Sequence, residues 1–526
     1  MSKMCGIFFY FDKQNNLTVD CINTLNKHSE LIKHRGPDVS NTYICDRVYI
    51  KFHQLLINGG LHDNTSVQPL INDRYVLVVN GEIYNYERLI KKYGINNYET
   101  KSDCEIILHL LNIFNDDLYK VINELDGEFA CVLYDKHNNN VFAFRDQLGV
   151  RPLYISNDIN KLVISSEPIA MTFVDTMEQL QPRCYYNMHQ NSFTPYYYLE
   201  VNPSGLHLGE SFIIENIRSL LINSVSKKMM GNREMGCLLS GGIDSSIVAA
   251  IYSKLSNKRI RTFTIGNVDS ADIIAARVVA EHINSIHTEF IVTNEELLCE
   301  IDETIKIIGS YDITTIRASC CNRLLIKKIN EQFPDIKVLF GSDVSDELFG
   351  GYRYFKYAPS AQQFHQETIR LLSDIHHFDG LRTDRCVSQY GIELRLPYFD
   401  KYLLEFVLHL DPTYKLIGER IEKYLLRVAF IDLLPINIIF RKKDAFSDAI
   451  SSSSKLWCDV ISDYVNDIVD TDQVLDCNIN KPISKESFYY RRIFQKYYGP
   501  HSNLTPYYWL PKWIETNEPS AHKLSL

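Results

Sequence analysis

No segment of this chain is built to cross or enter a membrane. Its longest N-terminal apolar run, Gly6 to Phe11, is too short for the core of a secretory signal. No stretch approaches the ~18 residues of a spanning helix. There is also no block of like charges, and the formal net charge is −10, which argues against nucleic-acid or anionic-lipid partners. None of the 13 cysteines forms a C-x-x-C pair, and they scatter from Cys5 to Cys477. In a long chain without a signal, that reads as reduced thiols in the cytoplasm, neither a disulfide framework nor a zinc site. Most of them should pack as small apolar residues. The dipeptide Gly-Lys is missing altogether, which excludes a Walker A loop, and no G-x-G-x-x-G is present. Internal repeats are absent, and no low-complexity segment exceeds Ser451–Ser454 or Asn138–Asn140.

What is present is a globular composition, 45% hydrophobic and 23% charged over 526 residues. At about 100–200 residues per domain, two to four domains fit. The first 200 or so residues read as an α+β domain. Apolar or alternating segments at Gly6–Phe11, Arg47–Phe52, Tyr75–Val79, Phe129–Tyr134, Val141–Phe144 and Leu162–Ser165 predict strands. Helical periodicity appears around Cys21–Ile32 and Asp103–Ile113. Pro195 to Glu210 loses periodicity, so the boundary falls there, giving domains 5–200 and 206–526. Beyond it, strands at Met235–Leu239, Arg261–Ile265, His287–Val292 and Ile336–Phe340 alternate with helices, the pattern of a parallel α/β sheet. The tail past about residue 400 reads as mostly helical, and the aromatic residues Tyr497, Tyr498, Tyr507, Tyr508 and Trp509 predict that its end packs.

The most specific signal is Ser240-Gly241-Gly242-Ile243-Asp244-Ser245-Ser246, between a strand and a helix. Two glycines and three hydroxyls at a helix N-terminus let backbone N–H groups close around phosphate oxygens. A bare Ser-Gly-Gly would be read as an N-capped turn; the full seven residues favour a phosphate cradle.

This turn resembles the pyrophosphatase loop of enzymes that split ATP into AMP and pyrophosphate. Met4-Cys5-Gly6-Ile7, His34-Arg35-Gly36-Pro37-Asp38, Asn80-Gly81-Glu82-Ile83-Tyr84-Asn85 and Arg145-Asp146-x-Leu148-Gly149 resemble class II glutamine amidotransferases. Thr314-Thr315-Ile316-Arg317-Ala318-Ser319 and Phe446-Ser447-Asp448 resemble the synthetase half of the glutamine-hydrolysing asparagine synthetase family, and the motifs run in family order over nearly the whole chain. The resemblance implies an Ntn-type αββα sandwich followed by a PP-loop α/β domain with a helical C-terminal part. It implies small-molecule substrates (glutamine, aspartate and ATP) and Mg²⁺ as cofactor, and leaves the oligomeric state open, a homodimer included.

In the glutaminase half the resemblance makes Cys5 the nucleophile, with its own α-amine as base. Asn80 and Gly81 would stabilise the oxyanion, while Glu82 and Asp103 would bind the glutamine α-ammonium. His34, Arg35, Gly36 and Asp38 would organise the loops. In the synthetase half, Ser240, Gly241, Gly242, Ser245 and Ser246 would cradle ATP, with Gly341 and Ser342 nearby and Leu239 and Ile265 framing the adenine. Asp244 and Asp346 would hold Mg²⁺. Thr314, Thr315 and Arg317 would bind aspartate; Lys443 would meet the charge on the transferred phosphorus, and Asp343 stands at a catalytic carboxylate position.

Three departures qualify these assignments. Met1-Ser2-Lys3-Met4 precedes Cys5, so the amine exists only if those residues are removed. The family's arginine for the glutamine carboxylate is replaced by Gln54, and no arginine lies between Arg47 and Arg74; Lys51 compensates only if it points inward. Gly341-Ser342-Asp343-Val344-Ser345-Asp346-Glu347 replaces Ser-Gly-Glu-Gly-Ser-Asp-Glu, shortening a carboxylate and placing valine at a glycine position. The sequence therefore supports a complete two-site enzyme first. An ammonia-dependent synthetase with an impaired glutaminase half and a catalytically silent binding homologue come next. A β-lactam-forming relative ranks last.

Overall fold

Ile7, Phe9 and Phe11 alternate along the strand Gly6–Asp12 and enter one core with Val48, Ile50 and Phe52 of Val48–Gln54 and Val76 and Val78 of Tyr75–Ile83. That period of two brings two sheets face to face in the computed structural model. The structure describes residues 5–57, 67–199, 208–418, 420–442, 455–469 and 479–519. It divides into two units: Met1–Tyr198 with Met230–Arg233 and Val387–Glu393, and the remainder of the chain.

In the first unit, one six-stranded sheet runs Glu178–Gln179, Tyr154–Asn157, Lys161–Ser165, Gly6–Asp12, Val48–Gln54, Val39–Cys45. The other runs Ser192–Pro195, Cys184–Asn187, Asn140–Arg145, Gly127–Asp135, Tyr75–Ile83, Leu70–Ile71. Every paired strand in both is antiparallel. The strand Tyr75–Ile83, one in from the short edge strand Leu70–Ile71, is buried on both faces: Leu77 and Val79 turn away from the inter-sheet core and pack with Ile106, Ile107, Leu110 and Val121 of the covering helices. The helix Val19–Glu30 covers the opposite sheet, which completes the αββα sandwich.

In the second unit a five-stranded sheet runs Ile286–Ile291, Arg261–Gly266, Glu234–Leu238, Ile336–Phe340, Glu393–Arg395. The chain starts on Glu234–Leu238, moves outward through Arg261–Gly266 to Ile286–Ile291, then returns to Ile336–Phe340 on the other side. These four strands pair in parallel. That reversal makes a switch point at the C-terminal ends of Glu234–Leu238 and Ile336–Phe340, where α/β sheets open a crevice for ligands.

Some elements differ from the sequence expectations. The helix Glu210–Lys227 fills what was read as the end of a linker and the start of an unassigned stretch. Its buried Ile213, Ile217, Leu221 and Val225 recur every four residues, so the signal was present. The strand Val39–Cys45 is an edge strand of mostly polar residues, too weakly apolar to detect. The helix Ile313–Gln332 starts where it does because the Asp312 side chain caps it by accepting from Thr315 N. The C-terminal aromatics do pack: Trp509 joins Tyr354, Phe355, Phe364 and Phe378 in one cluster.

Candidate active sites

Cys5 begins the strand-forming segment Gly6–Asp12 and is fully buried. Its backbone N–H donates to Asn80 Oδ1 at 2.7 Å, and its carbonyl accepts from Arg35 Nε at 3.0 Å. Arg35 is fixed by Glu167 at 2.8 Å and by the Ser388 hydroxyl at 3.1 Å, so it serves as the scaffold the sequence suggested. Asn80 keeps its Nδ2 buried without a hydrogen-bond partner among the described residues. A buried, unused amide donor beside a cysteine is a group in want of an acceptor, such as an oxyanion. Gly81 and Glu82 follow on the same strand, and Asp103 binds that strand's end by accepting from Ile83 N at 2.7 Å. Glu82 and Asp103 are both fully buried. Arg145 and Asp146 play a different part: Arg145 donates to the carbonyls of Arg151, Leu180 and Gly149, and Asp146 accepts from Phe129, Leu148 and Val150 N–H groups. They pin a loop.

Gln54 lies buried in this unit, and its Oε1 already accepts from Gln68 N at 3.0 Å. Lys51 does not compensate, because its ammonium faces Glu30 at 3.5 Å. A carboxylate bound here lacks the charge-assisted fork an arginine would give, roughly half the strength of the interaction. Gln54→Arg should lower the KM for glutamine about tenfold with kcat little changed, since uniform binding energy of ~1.4 kcal/mol is a factor of ten. An unaltered KM, measured by glutamate release, would show that carboxylate recognition does not run through this position.

In the second unit, the Ser240–Ser246 turn sits at the end of the central strand Glu234–Leu238 and opens the helix Ile243–Leu255. Ser245 Oγ lies 3.0 Å from Ser240 Oγ, and Gly242 N donates to Ser240 Oγ at 3.3 Å. The Ser246 hydroxyl is buried without a partner among the described residues. From across the switch point, the short helix Ser345–Phe349 that follows Ile336–Phe340 brings Ser345 and Asp346. Ser345 Oγ donates to Asp244 Oδ1 at 2.6 Å. Lys423, fully buried, bridges Asp244 Oδ2 at 2.5 Å and Asp346 Oδ1 at 2.7 Å. Two helix starts thus aim their carboxylates at one cation.

Ser240, Gly242, Asp244, Ser245, Asp346 and Lys423 line a cavity of about 240 Å³ together with Leu239, Ile265, Thr314, Thr315, Arg317, Gly341, Ser342 and Asp343, whereas Gly241, Ser246 and Ser345 stand behind its wall. Leu239 and Ile265 are also core residues, each about 1% exposed. Thr314 Oγ1 is buried without a partner among the described residues, whereas the Thr315 hydroxyl is spent on Asp312 at 2.8 Å. Burial pushes the Asp312 carboxyl up to about 6. Arg317 is held by Glu486, whose oxygens accept from Nε at 2.9 Å and Nη2 at 2.6 Å. Asp343 pairs with Arg382 at 2.5 Å, and Arg382 also holds Asp379 at 2.9 Å. Burial keeps the Asp343 carboxyl above its usual range. Glu347 accepts from Tyr352 at 2.6 Å; burial and then the charges of Asp379 and Asp346 push it up to about 8.

Sequence reasoning missed Lys423, Arg382, Asp379 and Glu347 as cavity residues. Glu347 was visible beside Asp346, and Asp379-Gly380 carried a turn signal next to Arg382, but nothing local tied these residues or Lys423 to the nucleotide turn, and only the fold delivers them. Lys443, Phe446, Ser447 and Asp448, and Met1 to Met4, lie outside the described residues.

Val344 has φ 77°, in the left-handed region, and its side chain is about 2% exposed. A β-branched residue there is strained by about 1–3 kcal/mol, and its burial returns a similar ~1.5–3 kcal/mol. Val344→Gly alone should therefore shift stability by no more than about 2 kcal/mol in either direction. Combined with Asp343→Glu, it should raise kcat with ammonium as nitrogen donor, because the loop regains both backbone freedom and carboxylate reach. No gain in kcat would mean that the present loop is already competent.

Comparison with known proteins covers the chain from residue 4 to residue 516. Residues 4–219 match a glutamine amidotransferase domain, and residues 216–364 and 356–516 match asparagine synthase. The chain is 38% identical to the asparagine synthetase [glutamine-hydrolyzing] of Gallus gallus, covering 99% of this chain and 98% of the relative. It is 36% identical to the Homo sapiens protein of the same name, with 99% of each covered. It is also 36% identical to a probable asparagine synthetase of Acanthamoeba polyphaga mimivirus, with 98% and 99% covered. With both domain matches in family order and full-length relatives at 36–38% identity, the chain belongs to the glutamine-hydrolysing asparagine synthetase family.

Proposed function

We propose that this protein amidates L-aspartate to L-asparagine at the expense of ATP, giving AMP and diphosphate, with ammonia released from glutamine at Cys5. The observation that carries the reading is the Ser240–Ser246 turn at the switch point, whose Asp244 converges with Asp346 on Lys423. The Cys5 thiol attacks the glutamine side-chain amide, Asn80 Nδ2 donates to the resulting oxyanion, and ammonia leaves. Water then frees glutamate from the thioester. In the second unit the aspartate β-carboxylate, a poor electrophile, displaces diphosphate from the α-phosphorus of ATP. Ammonia attacks the activated carbonyl and AMP departs.

Ser240, Gly242, Ser245 and Ser246 contribute the donors of the phosphate cradle. Arg317 orients the aspartate by a carboxylate, and Asp343, tied to Arg382, offers a proton acceptor near the reacting centre. Magnesium fits the donor set: the Asp244 and Asp346 carboxylates already meet around one buried cation, the Lys423 ammonium. No cluster of three or more His, Cys, Asp or Glu side chains among the described residues would hold a metal unaided, which suits an ion that completes its shell with phosphate oxygens and water. Asp244 and Asp346 would hold it, and bound there it would neutralise charge on the phosphates.

The test is asparagine formation with glutamine or ammonium chloride as donor, following AMP. Both donors should work. Activity with ammonium alone would assign the chain to the ammonia-dependent reading. Activity with neither would leave a binding homologue.

A further inference from the structure

The guanidinium of Arg317 has two forked edges that a carboxylate can grip. Glu486 takes one. The other, Nη1 and Nη2, is taken by Glu518, whose carboxylate accepts at 2.5 and 3.1 Å. Arg317 is about 4% exposed, so an incoming carboxylate meets no open fork.

The two glutamates are held differently. Glu486 is buried in the first turn of the helix Lys485–Tyr498, behind a Ser484–Ser487 capping box. Glu518 belongs to the C-terminal segment that walls the cavity through Trp509, Pro511 and Pro519. Its side chain is 29% exposed, and its backbone is tied locally, to the Thr516 hydroxyl at 3.0 and 3.1 Å. Glu486 is thus a fixed counter-ion that aims Arg317, and Glu518 is a ligand that can leave.

We propose that Glu518 occupies the acceptor-carboxylate subsite as an internal stand-in and sets acceptor affinity by competition. This rests on Arg317 being the residue that binds the acceptor's carboxylate. A dicarboxylic amino acid then enters only as Glu518 withdraws, exchanging one bidentate carboxylate for another. The exchange keeps the buried guanidinium paired throughout, which avoids leaving a desolvated charge uncompensated.

The experiment uses the full chain with ammonium chloride as donor and aspartate as the titrated substrate. Glu518→Gln should lower the aspartate KM about tenfold with kcat little changed, because a neutral amide competes for the fork far less well. Glu518→Asp should fall between the two. Arg317→Gln should raise the KM. In the unaltered chain, saturating aspartate should speed hydrogen exchange across residues 511–519. A Glu518→Gln variant with an equal or higher KM, while Arg317→Gln raises it, overturns the competition and leaves the Arg317 assignment standing. If Arg317→Gln also leaves the KM unchanged, the assignment itself fails. Slower exchange with aspartate would mark the segment as a lid, against the proposal.

Discussion

A chain that begins at Cys5 should hydrolyse glutamine at least about a hundredfold faster than one that keeps Met4 in front of it, the low end of the ~10²–10⁴ a general base contributes. The reason is the nitrogen. Cys5 N is held at 2.7 Å from Asn80 Oδ1, which fixes it beside its own side chain. As a peptide amide it has no basic lone pair. As a free amine with a pKa of about 7.7–8 it matches a thiol near 8.5 and can take its proton. The check is glutamate release by two preparations whose first residue is fixed by mass spectrometry. Ammonia-dependent synthesis should be equal in both, which separates a lost base from a lost fold. Full glutaminase activity in a chain starting at Met1 would require another base.

The other described cysteines behave as the sequence suggested. All are free thiols, and burial pushes Cys320 and Cys386 up to about 12 and raises Cys131 and Cys237 as well. These four are buried packing residues, whereas Cys299 is exposed and Cys21, Cys45 and Cys184 are half-buried.

The same division between local and distant information runs through both sites. The turn Ser240–Ser246 was legible because its chemistry is contiguous: glycines, hydroxyls and a carboxylate lie within seven residues, between a strand and a helix. The strands Gly6–Asp12 and Tyr75–Ile83 were legible because apolar runs bounded by turns have few other uses. Lys423 was not, because nothing around it marks a site; it reaches Asp244 only through a separation of 179 residues. The same holds for Glu518 on Arg317, 201 residues away. Val344 was an intermediate case. The sequence flagged a valine where the family has glycine, but the backbone was needed to show that φ had stayed positive.

Gly241→Ala should reduce ammonia-dependent asparagine formation by about a hundredfold or more, the loss expected when reacting groups move by about 1 Å. Gly241 has φ 72°, and a Cβ there would lie 2.4 Å from Ala275 C and Ala276 N and 2.5 Å from Ala275 Cβ. Those atoms belong to the helix Ala271–His282, whose Ala276 and Val279 are fully buried, so the helix backbone cannot retreat without opening the core. The turn must give way instead, carrying with it Ser240, Gly242 and the donors at the start of the helix Ile243–Leu255. Gly94 supplies the control. It closes the helix Tyr86–Tyr93 at φ 62°, yet a Cβ there meets nothing within 4 Å. Gly94→Ala should cost only the left-handed backbone term, about 1–2 kcal/mol of stability, and leave synthesis intact. The readouts are diphosphate release and the KM for ATP with ammonium as donor, alongside glutamate release without ATP. Glutaminase activity should survive Gly241→Ala, since Cys5 and Asn80 lie in the other unit. If diphosphate release and the KM for ATP were also unchanged, the Ser240–Ser246 turn would not be where this protein holds its nucleotide.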